Sequence, residues 1–172
     1  MHIVIAVVGL ITAAYFLIMR ARNAAEMTSE LLDMADDVRA AARRFGFRRN
    51  KAVHPVDAIE DVNTAAATVA TAYLELHGLP TEETKNALLR SLQTELQVSK
   101  SDAEELLILG RWLMNECHGP APAISRAARQ LYRLTGGDIG PLMEILKAAS
   151  ADPLTDQQRE ALDEIRRAFR IK

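Results

Sequence analysis

Cys117 and His118 stand side by side in the chain, the residue types of a thiolate nucleophile and its base. Neighbours at i and i+1 on a helix diverge, however, so the pair reads as a structural cysteine next to a histidine at a helix end. Glu75 and His77 flank Leu76 just before Gly78, where a histidine complements the negative end of a helix. Trp112 lies among aliphatic residues and reads as core or partner surface rather than as a cofactor platform. The sequence has no Gly-rich phosphate loop, no Gly-x-Ser-x-Gly, no paired-cysteine motif and no His-Glu-x-x-His. Nothing in it assembles a nucleophile, a base and an orienting group, so neither enzymatic activity nor a cofactor is expected.

The elements that would position any site divide into three parts. Ile3 to Met19 is uncharged, with only Gly9 and Thr12 outside the apolar set. At helical rise it would span roughly 25 Å, short of a ~30 Å hydrocarbon core by an amount that snorkelling Arg20 and Arg22 can close. A cleaved signal peptide would need a basic leader and a small-x-small cleavage site. Only Met1 and His2 precede the run, and it ends in Ile18-Met19-Arg20-Ala21-Arg22, so residues 1–19 are expected to be an uncleaved anchor. All flanking Lys and Arg lie on its C-terminal side, which predicts an outside N-terminus and a cytoplasmic body at the cell inner membrane. The lone cysteine agrees with a reducing compartment. Ala6, Gly9 and Ala13 share one side of the span and could admit a second membrane helix closely, although small residues are common in such helices anyway.

Residues 20–51 form the juxtamembrane part. Ala24, Met27, Leu31, Met34, Val38, Ala41 and Phe45 follow an alternating three–four spacing, as in a coiled coil or a helix packed on its own domain. The alanines weaken a zipper and favour a packed stalk helix continuing the anchor. Residues 39–51 carry six basic side chains and no acid, whereas 52–172 carry 13 basic and 18 acidic. With Arg20 and Arg22, the collar residues Arg43, Arg44, Arg48, Arg49 and Lys51 are expected at anionic lipid headgroups; a solvated, topology-setting loop is the plain alternative. Nucleic acid is not an expected partner, because aromatic interleaving is confined to Phe45 and Phe47 and the remainder is acidic.

After Arg20 there are six Val and seven Ile against 25 Ala and 19 Leu, a bias toward helix. The periodicity predicts an all-α domain over 52–172, a compact bundle of about six helices of roughly 12–20 residues. One helix is expected from Asp57 to His77, with Ile59, Val62, Val69, Tyr73 and Leu76 buried. The next starts at Thr81, a third opens on a Ser101–Glu104 capping box and breaks at Gly119-Pro120, and a fourth ends near Gly136. Asp138 caps a fifth, and Thr155 with Gln158 boxes the start of the last.

Ala151-Asp152-Pro153-Leu154-Thr155-Asp156-Gln157-Gln158 resembles the Ala-Asp-Gly-x-Leu-(Ser/Thr)-x-x-Glu helix start of the TerB-like fold of tellurite-resistance proteins. That fold also forms the membrane-proximal domain of DjlA-type co-chaperones. His77-Gly78-Leu79-Pro80-Thr81-Glu82-Glu83 is similar to the same element, 74 residues earlier, and Ala87-Leu88 then matches Ala161-Leu162. The resemblance implies two related helical halves behind an N-terminal anchor. In the family the acids at these helix starts are similar to a divalent-cation site. Here His77 and Gln158 replace two of them, which leaves Asp152, Asp156, Glu82 and Glu83 as weak candidates, each equally explained as a helix N-terminal acid. The only His-Pro, His54-Pro55, is followed by Val56 and not by the Asp of a J-domain tripeptide, so recruitment by that route is not expected. The overall expectation is an anchored interaction module, a scaffold or adaptor linked to stress or the envelope. The alternatives are an accessory subunit of an integral membrane complex and, further off, a divalent-metal sensor.

Overall fold

The computed structural model describes residues 35–48 and 52–171, and all of its described elements are helical. The expected anchor, the stripe Ala6, Gly9 and Ala13, and the basic residues Arg20, Arg22, Arg49 and Lys51 lie outside the described residues. Among the described residues no helix is long and apolar enough to cross a membrane. The chain divides into a unit 1–37, of which only helical residues 35–37 are described, and a unit 38–172.

The larger unit opens with helical residues 38–44 (α1). Then come a 3-10 turn Pro55–Ala58, α2 Val62–Leu74, a 3-10 turn Glu75–His77, α3 Glu82–Leu96, α4 Lys100–Glu116, α5 Pro120–Thr135, α6 Gly140–Ala148 and α7 Asp156–Ala168. Helix α2 is the centre. Every residue from Thr64 to Leu74 is buried, so the helix is enclosed on all sides, as its mixture of Ala, Thr and Val permits. α4 and α5 pack against it, α3 packs on α6, and α7 lies on α5. α4 comes closest at Gly110: a Cβ built there would stand 3.0 Å from Thr71 Oγ1 and 3.1 Å from the Ala67 carbonyl oxygen. Val38, Ala42 and Phe45 are partly buried against the core and Ala41 is fully buried, so this end of the heptad-like stripe packs on its own domain.

Three boundaries differ from the sequence-based expectation. The single helix expected over Asp57–His77 is broken at residues 59–61. Asp61 Oδ2 accepts from Thr64 N–H at 2.6 Å and from its hydroxyl at 2.7 Å, which starts α2 afresh, and Gln130 Nε2 donates to the extended Ile59 carbonyl. The capping box of α4 is Ser99 with Asp102, not Ser101 with Glu104. Left-handed Gln97 (φ 53°) ends α3 early enough for Ser99 to cap, and Asp102 returns a bond to the Ser99 N–H. α6 has nine residues, below the expected range, and its N-cap is Ile139. Asp138 still contributes, by accepting from Gly140 N–H at 3.1 Å. The Thr81 start of α3 and the Thr155–Gln158 box of α7 stand where the sequence places them.

Candidate functional site

The cysteine does have a histidine beside it, but from 63 residues away rather than next in sequence. His54 Nε2 lies 4.0 Å from Cys117 Sγ, while His118 is exposed in a left-handed conformation (φ 62°). The pair does not form a nucleophile and base. His54 Nδ1 accepts from Val56 N–H at 3.3 Å, which is satisfied by the tautomer with its proton on Nε2, and that N–H donates to the Glu116 carbonyl at 3.2 Å. Nε2 therefore has no lone pair for the thiol proton. Burial pushes the Cys117 thiol above its ordinary value, with Arg126 opposing and Asp57 and Glu116 reinforcing. His54 instead joins two helix ends, capping the 3-10 turn with one nitrogen and a C-terminal carbonyl of α4 with the other.

A different feature is open to solvent. Four helix ends meet around a cleft of about 230 Å³: the start of α2, the end of α3, the end of α5 and the start of α6. Its floor and walls are Val62, Ala66, Leu96, Leu131, Pro141 and Leu142. Its polar edge is Asn63, Glu95, Gln97, Thr135 and Asp138, and no lining residue is basic. Val62, expected in the core, is 37% exposed here, at the first residue of α2 where the helix borders the cleft. The cleft exists because α3 and α6 pack on each other while Gln97 and Gly136 turn the chain away in left-handed conformations.

The carboxylates considered for a cation sit at two separate helix starts, of α3 and of α7. Glu82 pairs with Lys85 at 2.7 Å and Asp156 with Arg159 at 2.8 Å, while Glu83 and Asp152 are exposed. Among the described residues no group of three or more His, Cys, Asp or Glu is placed to hold a metal ion. Gln158, where the resembling motif has Glu, is wholly buried and structural. Its Oε1 accepts from Ala151 and Thr155 N–H, each at 3.2 Å, and its Nε2 donates to the Ala149 carbonyl at 3.4 Å.

Of the expected headgroup contacts, Arg43, Arg44 and Arg48 are described, and all three are exposed. Arg44 is committed within the domain, bridging Asp102 at 2.5 Å and Glu105 at 2.8 Å. The Ser99 hydroxyl bonded to Asp102, helped by the Arg44 charge, holds that carboxyl below its usual range. Trp112 is half-buried, edge-on to Phe47 with ring centroids 5.7 Å apart.

The sequence reading missed both the His54–Cys117 contact and the cleft. The visible signals were an apolar residue in the first turn of α2 and the Gly136-Gly137 break. No family model matches this chain, and neither curated proteins nor solved structures return a match.

Proposed function

We propose that the chain is a membrane-anchored, TerB-like interaction module that presents its helical domain to the cytoplasm and recognises a protein partner through the cleft. The carrying observation is the open apolar cleft between four helix ends, with carboxylates only on its charged edge. A depression bounded by rigid helices suits an anchoring side chain of a partner, because the receiving groups are already ordered before binding. Anchoring is supported by the uncharged run Ile3–Met19 and the one-sided basic flank, and headgroup contact by the exposed Arg43 and Arg48. Confinement to a membrane would raise the effective concentration of the module for partners in the same membrane. A subunit role in an integral membrane complex would use the Ala6–Gly9–Ala13 side of the span instead.

The test has two parts. The full chain should remain with membranes through alkaline carbonate extraction, and deletion of residues 1–19 should release it. A photo-crosslinking residue at Val62 should then give a discrete adduct in native membranes, whereas one at exposed Glu160 on α7 should not. Carbonate release of the full chain would refute anchoring. An adduct at both positions or at neither would refute recognition through the cleft. A Val62 adduct that is lost when Gly9 and Ala13 are replaced with Leu would favour the subunit reading.

A further inference from the structure

Resting on that docking reading, we infer that the cleft takes a basic amphipathic segment of a partner protein, with one or two apolar side chains in the cleft and Lys or Arg facing Glu95 and Asp138. The volume argues for side chains. At about 230 Å³ the cleft is smaller than the roughly 300–1,000 Å³ of small-molecule sites, but it accommodates a leucine or phenylalanine anchor.

The sign of the partner follows from charges that the domain leaves uncompensated. Elsewhere on this unit several partly buried acids are paired, Asp57 with Arg126, Glu75 with Arg111, and Asp102 and Glu105 with Arg44, while Asp61 is taken up in capping Thr64. Glu95 and Asp138 have no ion-pair partner among the described residues, and Asp138 holds only the Gly140 N–H. The helix dipoles give no net sign there, because the C-terminal ends of α3 and α5 share the cleft with the N-terminal starts of α2 and α6, so its charge is that of Glu95 and Asp138. Two carboxylates and no basic residue beside an apolar floor complement an apolar–basic surface and repel an acidic one. This also weighs against a second copy as occupant. The most exposed leucine of the domain, Leu79 at 99%, is followed closely by Glu82 and Glu83, so it would bring like charge to the cleft.

The probe is a pair of fluorescein-labelled 18-residue amphipathic peptides, one of Leu and Lys and its counterpart of Leu and Glu. Their anisotropy is measured with the full chain in nanodiscs of zwitterionic lipid. The Lys peptide should bind in a salt-sensitive way and the Glu peptide should not. Reversal by Glu95→Lys with Asp138→Lys, both at the solvent edge, should weaken the Lys peptide about tenfold and confer binding of the Glu peptide. Asn63→Trp fills the cleft without changing its charge and should remove peptide binding, with thermal melts checking that each variant folds. If Asn63→Trp removes binding but both peptides bind alike, or if charge reversal changes nothing, the basic partner is overturned while the docking cleft stands. If no peptide binds, or if binding survives Asn63→Trp, both readings fall. Self-association in sedimentation that Asn63→Trp abolishes would make the occupant a second copy and overturn the inference.

Discussion

Replacing Gly110 with Ala sets two opposed effects against each other inside one helix contact. In an exposed helix the change would gain about 1 kcal/mol in helix propensity. Here the new methyl would stand 3.0 Å from Thr71 Oγ1, 3.1 Å from the Ala67 carbonyl oxygen and 3.3 Å from its carbon. Ordinary contacts of a methyl group lie at about 3.5–4.0 Å, so α4 and α2 must separate by several tenths of an ångström. Thr71 can rotate, but the two Ala67 atoms are backbone in a helix buried on all sides, with α5 packed on it as well. Retreat therefore disturbs a second interface. Overpacking of this kind costs about 1–3 kcal/mol. Net of the propensity gain, Gly110→Ala should give no stabilisation and a loss of up to about 2 kcal/mol, a fall in melting temperature of up to about 6 °C. Thermal and urea unfolding of the full chain in mild detergent, followed by circular dichroism, would measure it. Thr71→Ala added to Gly110→Ala should recover part of the loss, because it removes one of the three contacts. Gly110→Ala that stabilises the domain by about 1 kcal/mol, as at an exposed site, would refute the claim that backbone proximity selects glycine here.

Gln158→Ala should cost about 2–4 kcal/mol, since it strands two backbone N–H groups and a carbonyl around the 149–155 loop; urea unfolding would read it, with loss below about 1 kcal/mol counting against the pinning role. Cys117 should resist iodoacetamide in the folded chain at pH 8 and react once urea is added, as followed by mass spectrometry. Because the folded thiol titrates above its ordinary value near 9.0, this group's contribution to stability is fully present below that pH. It should decline as pH rises through the folded value, and Cys117→Ala should flatten that part of the profile in alkaline melts. Asp102 shifts the other way. Its contribution is present above its ordinary value of 3.8 and should be lost as pH falls through the lower folded value, so Asp102→Asn should reduce the acid dependence of melting temperature between pH 5 and 2.

Much of the local organisation is written in short stretches. Thr155 and Gln158 are three residues apart, and a capping box needs only the backbone between them, so its position follows from the sequence; the Thr81 start of α3 does likewise. The helical class follows from Ala and Leu outnumbering β-branched residues, which is a sum over local preferences. Boundary errors arose where two local solutions competed. Ser99-Asp102 and Ser101-Glu104 are both plausible boxes, and the left-handed turn at Gln97 favours the first. Asp61 breaks an apparently continuous pattern because its carboxylate captures Thr64, while the freed Ile59 carbonyl is met by Gln130 from another helix.

What needed the tertiary structure is whatever depends on distant residues meeting. Periodicity marks Val62 as apolar, but its exposure depends on what packs over the first turn of α2, and the cleft needs residues from Val62 to Leu142 at one place. Arg44 looks like a member of a basic collar until folding brings Asp102 and Glu105 to it. Cys117 has His118 next to it in the chain, yet helix geometry sends those side chains apart, and packing supplies His54 instead. The sequence by itself determined that this domain is helical, where several of its helices start, and that its charge is unevenly distributed. Only the tertiary structure decided which apolar residue faces solvent, which acids are left without a cation, and why the thiol stays protonated. Propensities and caps act through a few neighbouring residues, whereas exposure and charge pairing depend on side chains tens of residues away in the chain.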